Sequence, residues 1–427
     1  MSERRAGDTI AALSSGHPPA AIAVIRTSGP LANSAAEALA GALPPARVAS
    51  LRTLVDPKTG IEIDSALVLR FAAPCSATGE DIVEYQCHGG RAVVTAVLAA
   101  LSSSGLRQAE PGEFTRRAVE HGRLDLTEAE GLADLLEAET EVQRRAALAM
   151  AGGSLSRQID SWQLLILELS ARAEAGIDYV GDAGETAIDT TVLLEETQRL
   201  SFELSQWLFR PRSELLKEGL RVVVAGPPNV GKSSLINAMA GSDRAIVTPT
   251  AGTTRDVIEV PMAIDGMPFL LIDTAGLRES NDLIEKIGIE RALAEMHKAD
   301  LLLWLGEAGQ IPGGLQAVLV HPKSDLGKGP HDALEVSSRT GAGVAELLSR
   351  LSREARMVLP VDDRVALNNR QAALIGQAAL LLEDAPNDLL LLAEVLRATR
   401  CVFDRLTGRA GIEEALDGLF NRFCLGK

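Results

Sequence analysis

Leu220-Arg221-Val222-Val223-Val224-Ala225 runs directly into Gly226-Pro227-Pro228-Asn229-Val230-Gly231-Lys232-Ser233, and Ser234-Leu235-Ile236-Asn237 continues with helical character. The first six residues form the short, unbroken apolar run of a buried strand. The loop behind them has Gly, four residues, then Gly-Lys-Ser, between a strand and a helix. Glycines allow the backbone N–H groups to turn inward toward phosphate oxygens, and the new helix adds its positive end. Lys232 would bridge the β- and γ-phosphates of a bound nucleotide, and the Ser233 hydroxyl would ligate Mg²⁺. The stretch predicts a P-loop α/β domain with a parallel sheet over residues 217–357.

Downstream segments follow in the order a GTPase needs. The polar run Thr248-Pro249-Thr250-Ala251-Gly252-Thr253-Thr254 carries expected nucleotide contacts, with Thr254 sensing the γ-phosphate and completing the Mg²⁺ shell. Phe269–Ile272 reads as a strand ending in Asp273-Thr274-Ala275-Gly276. Asp273 would hold Mg²⁺ through water, and the Gly276 N–H would touch the γ-phosphate. Ala317–Val320 is a further strand, leading to Pro322-Lys323-Ser324-Asp325. Asp325 would accept two hydrogen bonds from the guanine edge, which adenine cannot offer. Ser337-Ser338-Arg339 would turn backbone N–H groups toward the guanine carbonyl. With Asn229, Val230, Gly231 and Ser234 of the first loop, these residues make the expected GTP site.

Two positions depart from the pattern. The usual base-reading tetrad is Asn-Lys-x-Asp, and Pro322 stands where Asn is expected, with neither a side-chain amide nor a backbone N–H. Guanine reading then rests on Asp325, Lys323 and residues 337–339, and weaker guanine affinity is expected. Small GTPases often place a Gln after Asp-Thr-Ala-Gly to orient water; here Leu277 stands there, so the catalytic group must come from elsewhere. Glu279, Asp282 and Glu285 are the acidic neighbours, and each equally fits a solvated helix face.

The surrounding chain supplies context. Of its 427 residues 46% are hydrophobic, enough for sizeable cores, and length suggests two to four domains. A net charge of −16 repels phosphate backbones and anionic membranes, so any nucleic acid would be gripped largely by a more basic partner. Aromatic residues make up only 3%, too few for broad base-stacking platforms. Cys75, Cys87, Cys401 and Cys424 form no CxxC pair, and no signal or membrane span is evident; a cytoplasmic protein is expected. Residues 1–120 read as a mixed α/β domain, with strands near Ala21–Arg26, Ile63–Phe71 and Ile82–Cys87. Residues 121–214 and 365–427 read as one discontinuous helical domain into which the P-loop domain is inserted.

The whole chain resembles the tRNA-modification GTPase family MnmE, also called TrmE. The resemblance rests on Thr78-Gly79-Glu80-Asp81, His88-Gly89-Gly90, Pro111-Gly112-Glu113-Phe114-Thr115 and Leu124-Asp125-Leu126, on the GTPase segments above, and on the terminal Cys424-Leu425-Gly426-Lys427. It implies a homodimer whose GTPase domains pair with the help of K⁺, held by Asn229, Thr248, Thr250 and Thr253. A cation beside the β- and γ-phosphates would do the charge-stabilising work of an arginine finger. The family's water-positioning acid falls on Glu285. The resemblance also implies that the N-terminal domain takes part in dimerisation and takes a one-carbon tetrahydrofolate, 5,10-methylene- or 5-formyl-, at Arg26, Glu84, Arg123 and Lys427. Arg123 stands where the family usually has Lys. Cys424 is a possible nucleophile, though a lone cysteine is more often packing. The implied partner is the flavoprotein MnmG, which would carry the FAD and contact most of the tRNA in a heterotetramer or larger complex. Together they would add a carboxymethylaminomethyl-type group to C5 of the wobble uridine U34. The competing reading is a ribosome-assembly or translational GTPase switch, which would need no folate site and would favour a basic surface.

Overall fold

The computed structural model describes residues 7–178, 190–210, 212–247, 258–274, 293–312, 315, 317–359, 365–410, 419–420, 423 and 426. Contacts divide the chain into two compact units. The first comprises Met1–Ala133, Leu155–Gln163 and Arg400–Lys427; the second comprises Asp134–Ser154 and Leu164–Thr399.

Among the described residues the first unit is built on six strands: β1 (Ile10–Leu13), β2 (Ile22–Ser28), β3 (Ser50–Val55), β4 (Glu62–Phe71), β5 (Ile82–His88) and β6 (Arg107–Gln108). They are ordered β3-β4-β5-β2-β1-β6. The period-2 alternation of antiparallel strands sorts their side chains onto two faces. One face carries Ala23, Ile25, Val68, Val83 and Tyr85 and is buried with helices α1 (Ala32–Ala40) and α2 (Arg91–Ser103). The other carries the paired row Leu51, Leu67, Gln86 and Val24, flanked by Leu69, Glu84 and Arg26. This face leaves Leu51 64% and Leu67 41% exposed. Helices α3 (Glu113–Glu120) and α4 (Leu126–Glu137) follow; within the unit, Leu126 and Ala129 pack with Phe420 and Phe423, and Trp162 stacks on Phe403 at 5.8 Å.

The Ala/Leu-rich stretch after α4 forms α5 (Glu141–Ala151), α6 (Ser154–Asp178), α7 (Thr190–Leu208) and α8 (Ser213–Glu218). Helix α5 starts at a capping box, Thr140 accepting from Gln143 N while the Gln143 side chain returns to Thr140 N. In the second unit seven strands among the described residues are ordered β13-β12-β11-β7-β10-β9-β8. These are β7 (Leu220–Ala225), β8 (Ala245–Val247), β9 (Ile258–Ile264), β10 (Met267–Asp273), β11 (Leu301–Trp304), β12 (Ala317–Pro322) and β13 (Leu334–Val336). Strands β13, β12, β11, β7 and β10 run parallel, and β7 is buried along nearly its whole length, as a central parallel strand must be. Helices α9 (Lys232–Ala240) and α10 (Val344–Val358) cover one face through Leu235, Ile236, Leu347 and Leu351. Helix α11 (Asn369–Glu383) packs along α7, where Ser201 Oγ donates to Ala379 O at 2.8 Å. Helix α12 (Leu389–Thr407) closes the described helices, none of which is long and apolar enough to cross a membrane.

Candidate nucleotide and folate sites

Among the described residues, the parallel sheet brings the loop after β7, the end of β10 and the segments after β12 and β13 to the carboxyl ends of its strands, where ligands of open α/β sheets bind. The first loop leaves β7 at Gly226, whose φ is 149° and where an added Cβ would fall 2.7 Å from Leu305 O, so no side chain fits. Gly231, at φ 112°, is the N-cap of α9, so the first helical N–H groups open toward the loop. Between them Asn229 adopts φ 57°, a left-handed conformation that Asn tolerates better than most residues. Lys232 is buried, and its Nζ donates to the carbonyls of Gly226 (3.1 Å) and Pro227 (3.0 Å), so the ammonium is held across its own loop.

Ser233 Oγ donates to Asp273 Oδ2 at 2.5 Å. The hydroxyl at the start of α9 and the carboxylate at the end of β10 thus converge, a pair of oxygen donors that fits a hard Mg²⁺ ion. Neighbouring Thr274 is anchored through Oγ1 to Val224 O at 2.9 Å, which fixes the β10 end against β7.

The segments expected to read the base also meet. Ser337 Oγ donates to Asp325 Oδ1 at 2.6 Å, and that bond foremost holds the Asp325 carboxyl below the usual carboxylate range against a small opposing effect of burial. Lys323, at φ 64°, reaches across to the first loop, where its Nζ donates to Asn229 O at 2.9 Å. A cavity of 330 Å³ beside these residues is lined by Val230, Pro322 and Lys323. Ser338 and Arg339 lie in the turn after Ser337, and Ser234 lies in the first turn of α9. Thr248, Pro249, Thr250, Ala251, Gly252, Thr253, Thr254, Ala275, Gly276 and Glu285 lie outside the described residues, as do Glu279 and Asp282.

In the first unit Arg26 and Glu84 face each other across β2 and β5. The guanidinium meets Glu84 Oε1 at 2.8 Å through Nε and at 2.7 Å through an Nη, and it also lies 5.7 Å from the Phe114 ring centre. Phe114 itself is buried in helix α3 against Ile10 and Ala12, so the groups this row could offer a pterin are the partly exposed Glu84 carboxylate, for its ring donors, and the Arg26 cation, for an acidic tail. Arg123 is exposed, beside Gly79, and no described contact joins it to Arg26 or Glu84. Lys427 and Cys424 lie outside the described residues; Gly426 between them accepts from Ser14 Oγ at 2.8 Å, next to the β1–β2 connection.

A buried ionic network that motif reading did not anticipate surrounds α3. Arg117, 8% exposed, bonds Asp8 (2.7 Å), Glu80 (3.0 Å) and Glu113 (3.0 Å). Arg107 adds a two-pronged pairing to Glu113 at 2.5 and 2.8 Å, and Ser28 Oγ donates to Glu80 Oε2 at 2.7 Å. Burial works to raise the Glu113 carboxyl, but Arg107 and Arg117 outweigh it and the net shift is downward. Glu80 and Glu113 of the two N-terminal motifs therefore hold the scaffold. A clue was present in the sequence, since Glu113 and Arg117 are four apart on a helix.

Residues 9–123 match the family described as GTP-binding protein TrmE N-terminus, and residues 126–424 match the MnmE helical domain. The chain belongs to the MnmE family. A Novosphingobium aromaticivorans protein named tRNA modification GTPase MnmE is 51% identical over 98% of this chain and 100% of its own length. Bearers of the same name from Erythrobacter litoralis (51%) and Zymomonas mobilis (50%) each cover 98% of this chain and 100% of their own lengths. Pro322 and Leu277 are therefore departures from the general GTPase pattern within a chain of the MnmE family.

Proposed function

We propose that this chain is a GTPase of tRNA modification, with nucleotide bound and cleaved in its 217–357 domain. The observation carrying the reading is the meeting of Lys232, Ser233 and Asp273 at the carboxyl ends of β7 and β10, in a member of the MnmE family. Lys232 would neutralise the β- and γ-phosphates, while Ser233 and, through water, Asp273 would hold Mg²⁺, which supplies charge stabilisation to the transferring phosphoryl group. Asp325 and Lys323 would select and seat guanine. Glu285 would position water, and Asn229, with Thr248, Thr250 and Thr253, would hold K⁺. Lys232→Ala should abolish Mg²⁺-dependent GTP retention, and parent-like retention would remove the reading. Glu285→Ala should retain GTP yet lose most turnover; unchanged turnover would remove its role.

The reaction served is addition of a carboxymethylaminomethyl-type group to C5 of U34 in certain tRNAs, in a cytoplasmic complex with MnmG. MnmG would supply FAD and most of the tRNA surface, a division that fits a chain of net charge −16. A one-carbon tetrahydrofolate would bind near Arg26, Glu84, Arg123 and the terminal Lys427, and the exposed leucines on the same sheet face support a homodimer. Nucleoside analysis of tRNA from cells lacking the protein tests the pathway. Loss of the U34 modification is expected, and intact modification would refute it while leaving GTP hydrolysis standing.

A further inference from the structure

Arg26 and Glu84 share a row of the first sheet with Ala12 and Leu69, and among the described residues that face is closed on one side of the row and open on the other. On the closed side the next row is Ile10, Ser28, Ile82 and Phe71. Ile10, Ser28 and Ile82 are buried, Phe114 packs against Ile10, and Ser28 Oγ is bonded to Thr78 and Glu80. On the open side the next row is Val24, Gln86, Leu67 and Leu51, and both leucines are exposed. Ser14 continues this row beyond Val24: its N–H donates to Val24 O at 2.7 Å, and its hydroxyl donates to Gly426 O, one residue before Lys427. A ring held by Glu84 therefore lies over the row that contains Gln86.

Gln86 is half-buried in that row, and its side-chain amide makes no hydrogen bond among the described residues. It stands two residues beyond Glu84 on the same strand and the same face, about 7 Å along β5. Glu84 is only half engaged. Arg26 Nε and an Arg26 Nη both meet Oε1, at 2.8 and 2.7 Å, and Oε2 makes no hydrogen bond among the described residues. A carboxylate oxygen and a carboxamide thus stand side by side where the face opens.

Resting on the folate reading above, we infer that Gln86 is the residue that selects a reduced pteridine over an oxidised one. A pteridine ring offers three hydrogen-bonding edges. The 2-amino and N3–H donors suit the Glu84 carboxylate, which only accepts. The O4/N5 edge carries no N–H once N5 bears the one-carbon unit. The N1/N8 edge of a dihydro- or tetrahydropterin pairs an acceptor, N1, with a donor, N8–H. A carboxamide complements that pair with two parallel hydrogen bonds, as Gln complements N7 and N6 of adenine. In fully oxidised folate N8 has no hydrogen and both edge atoms accept. The Gln86 amide oxygen would then face a lone pair and stay unsatisfied.

Titration calorimetry on the full chain with 5-formyltetrahydrofolate, 7,8-dihydrofolate and folic acid tests this. The parent should bind both reduced forms at least roughly fivefold more tightly than folic acid, the scale of one hydrogen bond. Gln86→Leu should weaken both reduced forms to near the folic acid affinity and leave folic acid within about twofold of the parent, so the preference collapses. Gln86→Glu, nearly isosteric, keeps an acceptor for N8–H but turns a negative charge toward N1. It should weaken all three ligands while keeping the preference for the reduced forms, and it decides the matter should the leucine variant fail to fold. The readout is a ratio, so a change in dimerisation that affects all three ligands equally leaves it unmoved. No preference in the parent, equal loss of all three ligands in Gln86→Leu, or parent-like affinities in Gln86→Glu would overturn the inference and leave the folate site standing. Absence of saturable 5-formyltetrahydrofolate binding by the parent would instead remove the folate reading, and this inference with it.

Discussion

In the proposed role Asp325 would read guanine only while ionised, and the Ser337 hydroxyl favours that form. The 2.6 Å bond from the Ser337 hydroxyl is the largest cause of the lowered carboxyl pKa. A depressed pKa means that the accepting form is complete above the ordinary carboxylate range and is lost only as pH falls through the lower, bound value. Ser337→Ala should therefore move the acid limb of GTP binding to higher pH while leaving Asp325 ionised near neutrality, as nucleotide titration across pH would record. Pro322 poses the opposite question. It ends β12, opposite Val336, and lines the 330 Å³ cavity beside Val230 and Lys323. Pro322→Asn restores an amide there, and a single good hydrogen bond is worth roughly 0.5–1.5 kcal/mol. The substitution should tighten GTP by up to about tenfold and widen the GTP-over-ATP preference; an unchanged ratio would show that the amide does not reach the base.

At the scale of elements, α3 is held to the first sheet by Phe114 packed against Ile10 and Ala12 and by the ionic network of Arg117. Removing one member of a buried, hydrogen-bonded ion network leaves the others uncompensated and costs on the order of 3–5 kcal/mol. Arg117→Ala should lower stability by about that amount in denaturant unfolding of the N-terminal unit, whereas Arg145→Ala, in an exposed pair with Glu141, should fall within about 0.5 kcal/mol of the parent. Glu113 adds a pH signature of known sign. Its folded pKa is lowered, so its contribution is complete above the ordinary glutamate range and is lost as pH falls through the folded value. Such elements mark the boundary of what the sequence made legible. The strand runs at 22–28, 62–71 and 82–88 announced themselves by composition, as did the loop from Gly226 to Ser233. Strand β6 is two residues long, and strand β1 only four, too short for any pattern to mark. Asp8 meets Arg117 across 109 positions, a partnership created by topology and invisible to local spacing. Lys323 was legible as a base-site residue, but its bond to Asn229 O, which makes it a strut between two loops, required the fold.

At the scale of the molecule, the strongest unsatisfied feature of the first unit is its open sheet face. Cross-strand partners share a face, so Leu51, Leu67 and Val24 lie in one row with Gln86, and Ile22, 60% exposed, extends the patch. Scattered surface leucines need no explanation, but exposed leucines paired on one face of a sheet whose other face is buried make that face a candidate interface. Arg26 and Glu84 occupy the neighbouring row, so a homodimer joined through this face would bring the proposed folate contacts to the dimer boundary. Leu51→Asp combined with Leu67→Asp should then convert a dimer to a monomer in sedimentation equilibrium without GTP, where K⁺-assisted pairing of the GTPase domains does not contribute. The same variant should lose folate affinity while retaining Mg²⁺-dependent GTP binding, because the P-loop belongs to the other unit. A variant that stays dimeric would move the interface elsewhere. One that becomes monomeric yet keeps parent-like folate affinity would separate the folate site from the dimer boundary and leave Arg26 and Glu84 to act within a single chain.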